Sequence, residues 1–368
     1  MRIWKQTGIG IGFCVAALLT VAVVTNQKGS AQEPAGRGNR PTYSLSSPAP
    51  QDPILVGAID LHAHQDPDSS GPSYGQAARS VDALDLYTRA KASGMRGFVI
   101  KLHLDQSAGL AYYMRKVHPD MEFFGGMGSN LTTGTKVNPW AITHMAEIKG
   151  GWGRIVWMPS WDSENSIHRI PRRRPPGYVA VAQCGGLPFW VDFPKPCPPE
   201  RADLLPEVKE AMQIIAKTKT RDSNGDLILA TGHNSPEEDL MMIKEAVRVG
   251  VKRIIITHPL LDVVDMTSAQ LKEAIGMGPE IYAEFTSQFG NPGAKPEMVK
   301  TYVEAIRTAG VDHSFISTDV GQVGSNFVPD ALLNVAKVLR ANGFSEAELN
   351  QLFKINPAKI LGIPPPAR

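Results

Sequence analysis

The sequence predicts an α/β fold, a (β/α)8 barrel running from residue 54 to residue 368, with a long insertion after its fourth strand. Three observations lead there. Eight apolar runs of strand length alternate with stretches whose apolar residues recur at helical spacing. The first run leads into Ile59-Asp60-Leu61-His62-Ala63-His64, whereas an open doubly wound sheet would usually follow its first strand with a glycine-rich phosphate loop. Polar residues then gather at the C-terminal ends of the runs, the end at which such barrels carry their chemistry.

In chain order, Ile54–Leu61 reads as a buried strand, and Val81–Ala92, with Val81, Leu84, Leu86 and Ala90 at helical spacing, as a helix stopped by Gly94. Met95–Leu102 is the second strand, Ala108–Val117 a helix and Met121–Phe124 a short third strand, with Gly125-Gly126-Met127-Gly128 expected as a tight turn after it. Pro139–Ile148 opens with a proline, which is tolerated in a first helical turn. Arg154–Met158 is the fourth strand. Residues 163–202 then break the rhythm with Pro171, Arg172-Arg173-Arg174 and Pro175-Pro176, and read as a long inserted loop that shapes substrate choice or simply covers surface. Leu205–Lys217 is a helix and Leu227–Ala230 a strand. Ser235-Pro236-Glu237-Glu238 caps a helix to Val249, with Ser at N-cap and acids in the first turn. Val251–Thr257, Ile281–Phe285 and Phe315–Ser317 complete the strands. Ser268–Ile275, Glu297–Ala309, Pro329–Leu339 and Ser345–Phe353 complete the helices.

The N-terminus reads as a targeting segment, residues 1–31. Two cations in the first six residues precede the uncharged apolar stretch Gly8–Val24, and Gly29-Ser30-Ala31 offers a small-residue cleavage point. Export to the periplasm or the exterior is the expectation. An uncleaved anchor is the alternative, and would be the only membrane contact. Residues 32–53, rich in Pro, Gly, Ser, Gln and Arg, read as a disordered linker. The first 31 residues carry Arg2, Lys5 and Lys28 and no acid; without them 35 basic residues face 36 acidic ones. A near-neutral body speaks against nucleic acid as a partner. Cys184 and Cys197 would be left after cleavage, either as a disulfide across a short loop or as two thiols.

Residues at i and i+2 of a strand share a side, so His62 and His64 project together, and paired imidazoles suit zinc or a similar divalent ion. Strand ends elsewhere supply Lys101 and His103, His233, His258 and Asp319. Five of the nine histidines fall at such ends; His118, His144, His168 and His313 do not. A single histidine there is commonly structural, but repetition over several strands points to a metal site.

With Asp60-x-His62-x-His64 on the first strand, His233 on the fifth, His258 on the sixth and Asp319 on the eighth, the chain resembles the amidohydrolase superfamily of metal-dependent hydrolases, from about residue 54 to 363. Asn356-Pro357-Ala358-Lys359-Ile360-Leu361-Gly362 is similar to the segment that often closes those barrels. Gly94-Met95-Arg96-Gly97, Lys101 with His103, Val156-Trp157-Met158-Pro159 and Ala230-Thr231-Gly232-His233 resemble a little-characterised amidohydrolase-like group. The resemblance implies that His62 and His64 bind the more buried ion with Asp319 close by. It implies that His233 ligates a second ion or orients the substrate, and that His258 is a further ligand or polarises the substrate carbonyl. Asp319 would take a proton from the attacking water and pass it to the leaving group. A bound divalent ion lowers the pKa of its water to about 7. Zinc is the expected cofactor, as one or two ions. Many members place a carboxylated lysine or a glutamate on strand 4 to bridge two ions, and this chain has Trp157-Met158-Pro159-Ser160 there. One ion is the simpler expectation, unless Lys101 or His103 fills the gap.

Lys101 interrupts an apolar strand, and burying an unpaired ammonium is costly. It calls for a carboxylate such as Glu284, a carbamate modification or a substrate anion. Arg79 would clamp an anionic substrate or form a surface salt bridge. Asp60 reads as a hydrogen-bond partner beside the histidine pair, and Trp161 and Asp162 as pocket lining. The arginine run at 172–174 reads as a solvated face. The expected activity is hydrolysis of an amide, cyclic amide, ester or lactone in a small molecule. A decarboxylase or lyase on the same site, or a barrel that binds metal or ligand without turnover, are the rivals. Oligomeric state is open, a homo-oligomer included.

Overall fold

Eight parallel strands pair in sequence order: β1 (Ile59–His64), β2 (Gly97–Lys101), β3 (Glu122–Gly128), β4 (Gly153–Trp157), β5 (Ile228–Ala230), β6 (Ile254–Ile256), β7 (Ile281–Phe285) and β8 (Ser314–Ile316). They belong to a computed structural model that describes residues 45–69, 78–169 and 203–366. The expected signal segment 1–31, most of the linker, Arg172-Arg173-Arg174, Cys184 and Cys197 lie outside the described residues. The seam between β8 and β1 is closed just past the end of β8. There the Asp319 amide donates to His62 O (2.8 Å) and the His64 amide to Val320 O (2.9 Å). The result is the (β/α)8 barrel that the alternating pattern predicts.

Among the described residues the outer layer is built from α1 (Ala83–Ala92), α2 (Ala108–Val117), α3 (Pro139–Ala146), α5 (Pro206–Lys217), α6 (Pro236–Val249), α7 (Ser268–Gly276), α8 (Pro296–Ala309) and α9 (Val328–Ala341), while α4 (Glu164–Arg169) lies in the connection after β4. Outward strand residues such as Phe98, Ile100, Val156 and Ile256 pack in one apolar cluster with Leu86, Ala111, Val208 and Ile243 of the helices. Inward residues, among them Val99, Phe124, Ile155, Trp157, Tyr282 and Phe315, fill the barrel. The C-terminal helices α10 (Glu346–Asn350) and α11 (Asn356–Leu361) follow, joined by a wide turn over Gln351–Ile355, so the helix expected at Ser345–Phe353 is divided. Ile360 and Leu361 join the inner cluster. Asn356 Nδ2 donates to Val311 O and Ser314 O (2.8 and 2.6 Å), which fixes α11 at the N-terminal end of the barrel.

Three expectations need correction. The first strand begins at Ile59, after a turn over residues 53–57, and runs through both histidines. Ile59 and Leu61 lie in the inner cluster, yet Ala63 lies in the outer one, and the pairing register with β2 shifts between Asp60 and Ala63. This bulge turns His62 and His64 inward. Second, Gly125-Gly126-Met127-Gly128 is not a turn but the end of β3. A Cβ on Gly126 would lie 2.3 Å from Ile155 O and 2.4 Å from the Trp157 ring, so glycine is needed for close approach and not for a bend. Third, the interval 163–202 does not begin as loop. Residues 164–169 form α4, whose Asn165 Nδ2 donates to His233 O (3.1 Å) and Val263 O (2.5 Å).

Two consequences for stability follow. Gly126→Ala forces a methyl group against β4 and is expected to lower unfolding free energy by about 1–3 kcal/mol, read from denaturant midpoints. In α6, Asp239 is fully buried, and burial, then the neighbouring Glu238 charge, push its pKa well above 3.8, with the Thr231 hydroxyl opposing only in part. A raised folded-state pKa means that this group costs nothing below the unfolded value, progressively more as pH rises from there to the folded one, and a constant amount above it. Asp239→Asn is therefore expected to stabilise the protein at pH 8 by about 1–3 kcal/mol and to leave stability at pH 4 nearly unchanged.

Candidate metal centre

The bulge in β1 and the closure of the seam set three donor atoms face to face. His62 Nε2 and His64 Nε2 are 3.2 Å apart, and Asp319 Oδ1 lies 3.2 and 3.1 Å from them. Bonds of about 2.0–2.1 Å to a tetrahedral zinc ion require ligand atoms about 3.3 Å apart, so the donor triangle fits a divalent ion of that kind. The tautomer fits as well. His62 Nδ1 faces Glu284 Oε1 at 2.9 Å, and with its proton there Nε2 keeps a lone pair. Lys101 Nζ donates to the same Nε2 at 2.8 Å. Burial and the Lys101 charge oppose a positive charge at His62, but Glu284 and Asp319 outweigh both. The carboxylates that favour a proton there favour a metal cation equally.

Backbone strain marks the same place. His258 and Asp319 have φ of +28° and +54°, a region that non-glycine residues rarely occupy. Each is held by its own amide: that of Asp319 donates to His62 O, and that of His258 to Glu284 Oε2 at 3.1 Å. Glu284 is thus shared among His62, His258 and the Ser317 hydroxyl (2.7 Å). It was expected as a partner for Lys101; its hydrogen bonds go to these three groups instead. Asp60, fully buried, accepts from the amides of His62 and Thr318 (3.1 Å each) and from the Thr318 hydroxyl, which fastens β1 to the segment after β8. Burial raises its pKa to about 6 against those hydrogen bonds.

The five strand-end histidines form one row. Ring centroids are separated by 4.5 Å from His103 to His64, 5.1 Å from His64 to His62, 5.8 Å from His62 to His258 and 4.8 Å from His258 to His233. Burial keeps His258 neutral at neutral pH, lowering its pKa to about 4 against the Asp319 and Glu284 charges, and its Nδ1 has no hydrogen-bond partner among the described residues. Burial likewise holds His64 well below its ordinary value. His233 and His258 lie beside the donor triangle and outside it. Asp319 stays ionised: burial would raise its pKa, but His62 and His64 hold it far below the carboxylate range.

On the strand-2 side, Lys101 is buried with its Nζ 5.0 Å from the Trp157 ring centroid, and burial lowers its pKa to about 8 against the charges of Asp319, Glu284 and Asp68. Arg79 is not a surface residue. Its Nη2 donates to Asp68 Oδ2 (2.8 Å), and the same oxygen lies 2.9 Å from His103 Nδ1. Burial lowers the His103 pKa to about 4 against Asp68. Trp161 lies 5.9 Å from the His103 ring, and Asp162 Oδ2 accepts the Leu131 amide (2.8 Å). Sequence reasoning missed Asp68, although an acid four residues past His64 was a usable signal.

A family model described as a family of unknown function (DUF6282) matches residues 57–282, a span that includes every strand-end histidine and stops short of Glu284 and Asp319. No curated protein matches the sequence. Among solved structures, an amidohydrolase from Burkholderia multivorans with bound zinc is 12% identical, with a TM-score of 0.54 over 83% of this chain and 99% of that one. The probable dipeptidase PvdM from Pseudomonas aeruginosa is 12% identical, with a TM-score of 0.54 over 84% of this chain and 96% of that one. What is shared at these identities is the barrel fold.

Glu284→Gln keeps the shape of the partner of His62 and removes its charge. It is expected to weaken zinc binding about 10–100-fold with an unchanged circular dichroism spectrum, as read by competition with a chromophoric chelator.

Proposed function

We propose that this chain, which belongs to the family of unknown function DUF6282, is a metal-dependent hydrolase of small molecules. The observation that carries the reading is the donor triangle of His62, His64 and Asp319, with edges of 3.1–3.2 Å, at the C-terminal end of the barrel. The fold shared with a zinc-containing amidohydrolase supports it. The substrate class is an amide, cyclic amide, ester or lactone. A divalent ion held by these residues would supply Lewis-acid activation of the attacking water.

The protein's own groups divide the remaining work. Asp319, ionised and with 16% of its side chain exposed, would accept the proton of the water and return it to the leaving group. Lys101 brings an ammonium group beside His62 and would meet the negative charge that develops on the carbonyl oxygen. His258 is neutral, with its ring centroid 5.8 Å from that of His62, and would orient the carbonyl. His233, less deeply buried, would contact the rest of the substrate. Glu284 and Asp60 hold the histidines and the seam in place. Export is part of the proposal and rests on the cationic and then apolar pattern of residues 1–31.

The test is elemental mass spectrometry of the purified chain beside turnover of a panel of amides, lactones and esters. The wild type is expected to carry tightly bound metal, and a His62→Ala, His64→Ala double variant to carry none. Asp319→Asn is expected to keep the metal and lose turnover by a factor of about 100 or more. A wild type that takes up no metal after reconstitution removes the reading.

A further inference from the structure

Beside the donor triangle lies a second group of ligand type. Donor atoms of His64, Asp68 and His103 all fall within 4.8 Å of one another, and all three residues are buried. Taken alone, the group looks like a seat for another metal ion sharing the His64 side of the first. Its geometry shows it already served by a cation.

Asp68 is fully buried and rigidly placed. Its Oδ1 accepts the amides of His103 (2.7 Å) and Leu104 (3.0 Å), which leaves Oδ2 turned to the interior of the group. Arg79 Nη2 lies 2.8 Å from that Oδ2 and 3.1 Å from His103 Nδ1, so one guanidinium nitrogen touches both groups that would ligate an ion there. Arg79 is itself fixed by its amide, which donates to Ser69 Oγ (2.9 Å), and by a bridge to Gln322 across the seam loop. A guanidinium group does not lose its proton in a protein. A dication placed between Asp68 and His103 would meet a permanent positive charge at contact distance. The inward residue at the end of β4 adds no ligand, since Trp157 presents a ring 6.1 Å from His62.

We infer that Arg79 occupies the position of a second cation, so that the centre takes one metal ion and not two. The inference rests on the metal-dependent reading above and specifies the stoichiometry of that site. It also gives Arg79 a role inside the protein, since its Nη2 is taken by Asp68 and His103.

The experiment is the metal-to-protein ratio of the full chain after zinc reconstitution and removal of loosely bound ions, by elemental mass spectrometry. The wild type is expected to hold one ion per chain. Arg79→Met uncovers Asp68 and His103 and is expected to hold two; Arg79→Met combined with Asp68→Asn is expected to return to one. A wild type with two ions, or an Arg79→Met protein that stays at one, overturns the inference and leaves the metal-dependent reading intact. A wild type with none overturns that reading and this inference with it. Should Arg79→Met fail to fold, cobalt-loaded wild type decides: an electron paramagnetic resonance spectrum of an isolated high-spin ion supports a single occupied position, and a spin-coupled pair rejects it.

Discussion

The barrel is closed by a few hydrogen bonds between β1 and the segment after β8, and the candidate site depends on them. The Asp319 amide reaches His62 O, the His64 amide reaches Val320 O, and Asp60 ties both edges through Thr318. Closing the sheet brings together side chains that are 255 residues apart in the chain, as His64 and Asp319 are. Fold closure and assembly of the donor triangle are therefore one event. A loosened seam would separate Asp319 from the two histidines before it disturbed the apolar core, because the contacts that set their spacing are the seam contacts themselves.

Charge in the barrel mouth follows a simple arrangement. Buried carboxylates stand against two of the strand-end histidines, and each carboxylate is shared with further donors. Glu284 faces Nδ1 of His62, and Asp68 faces Nδ1 of His103. At His62 this leaves Nε2 for a ligand bond, which is how a histidine is given a fixed tautomer, whereas Nδ1 of His103 also meets Arg79 Nη2 at 3.1 Å. Between these pairs the site is lined by groups whose burial favours the neutral form, His64 and His258 among them. The mouth therefore mixes fixed charges with neutral imidazoles that can take up a cation.

Much of this was legible in the sequence, for physical reasons that differ by element. The barrel was legible because strand and helix periods alternate on both sides of the break at 163–202, and α2 and β7 fall at the expected residues, Ala108–Val117 and Ile281–Phe285. The site histidines were legible because an imidazole at the end of an apolar run is poor core filler. The bulge in β1 was not, since no residue type in Leu61-His62 announces a change of face. The Gly125–Gly128 run misled because glycine serves both a turn and a close approach, and only the Trp157 ring beside Gly126 decides between them. The sequence offers Glu284 only as one possible partner for Lys101, and its contact with His62 depends on packing across the barrel, which a linear pattern does not carry.

The positive φ angles at His258 and Asp319 have a consequence for anyone who evolves or screens this protein. Both positions hold a side chain where the backbone would rather have glycine or asparagine. Selection for thermal stability alone would thus favour replacing these two residues, as it would the other positive-φ positions Asp222, Asn224 and Asp265, and at these two each gain would remove a side chain from the barrel mouth. A library screened on heat resistance alone would therefore keep variants that have traded away the arrangement of the barrel mouth, and a screen that also reads metal retention would discard them.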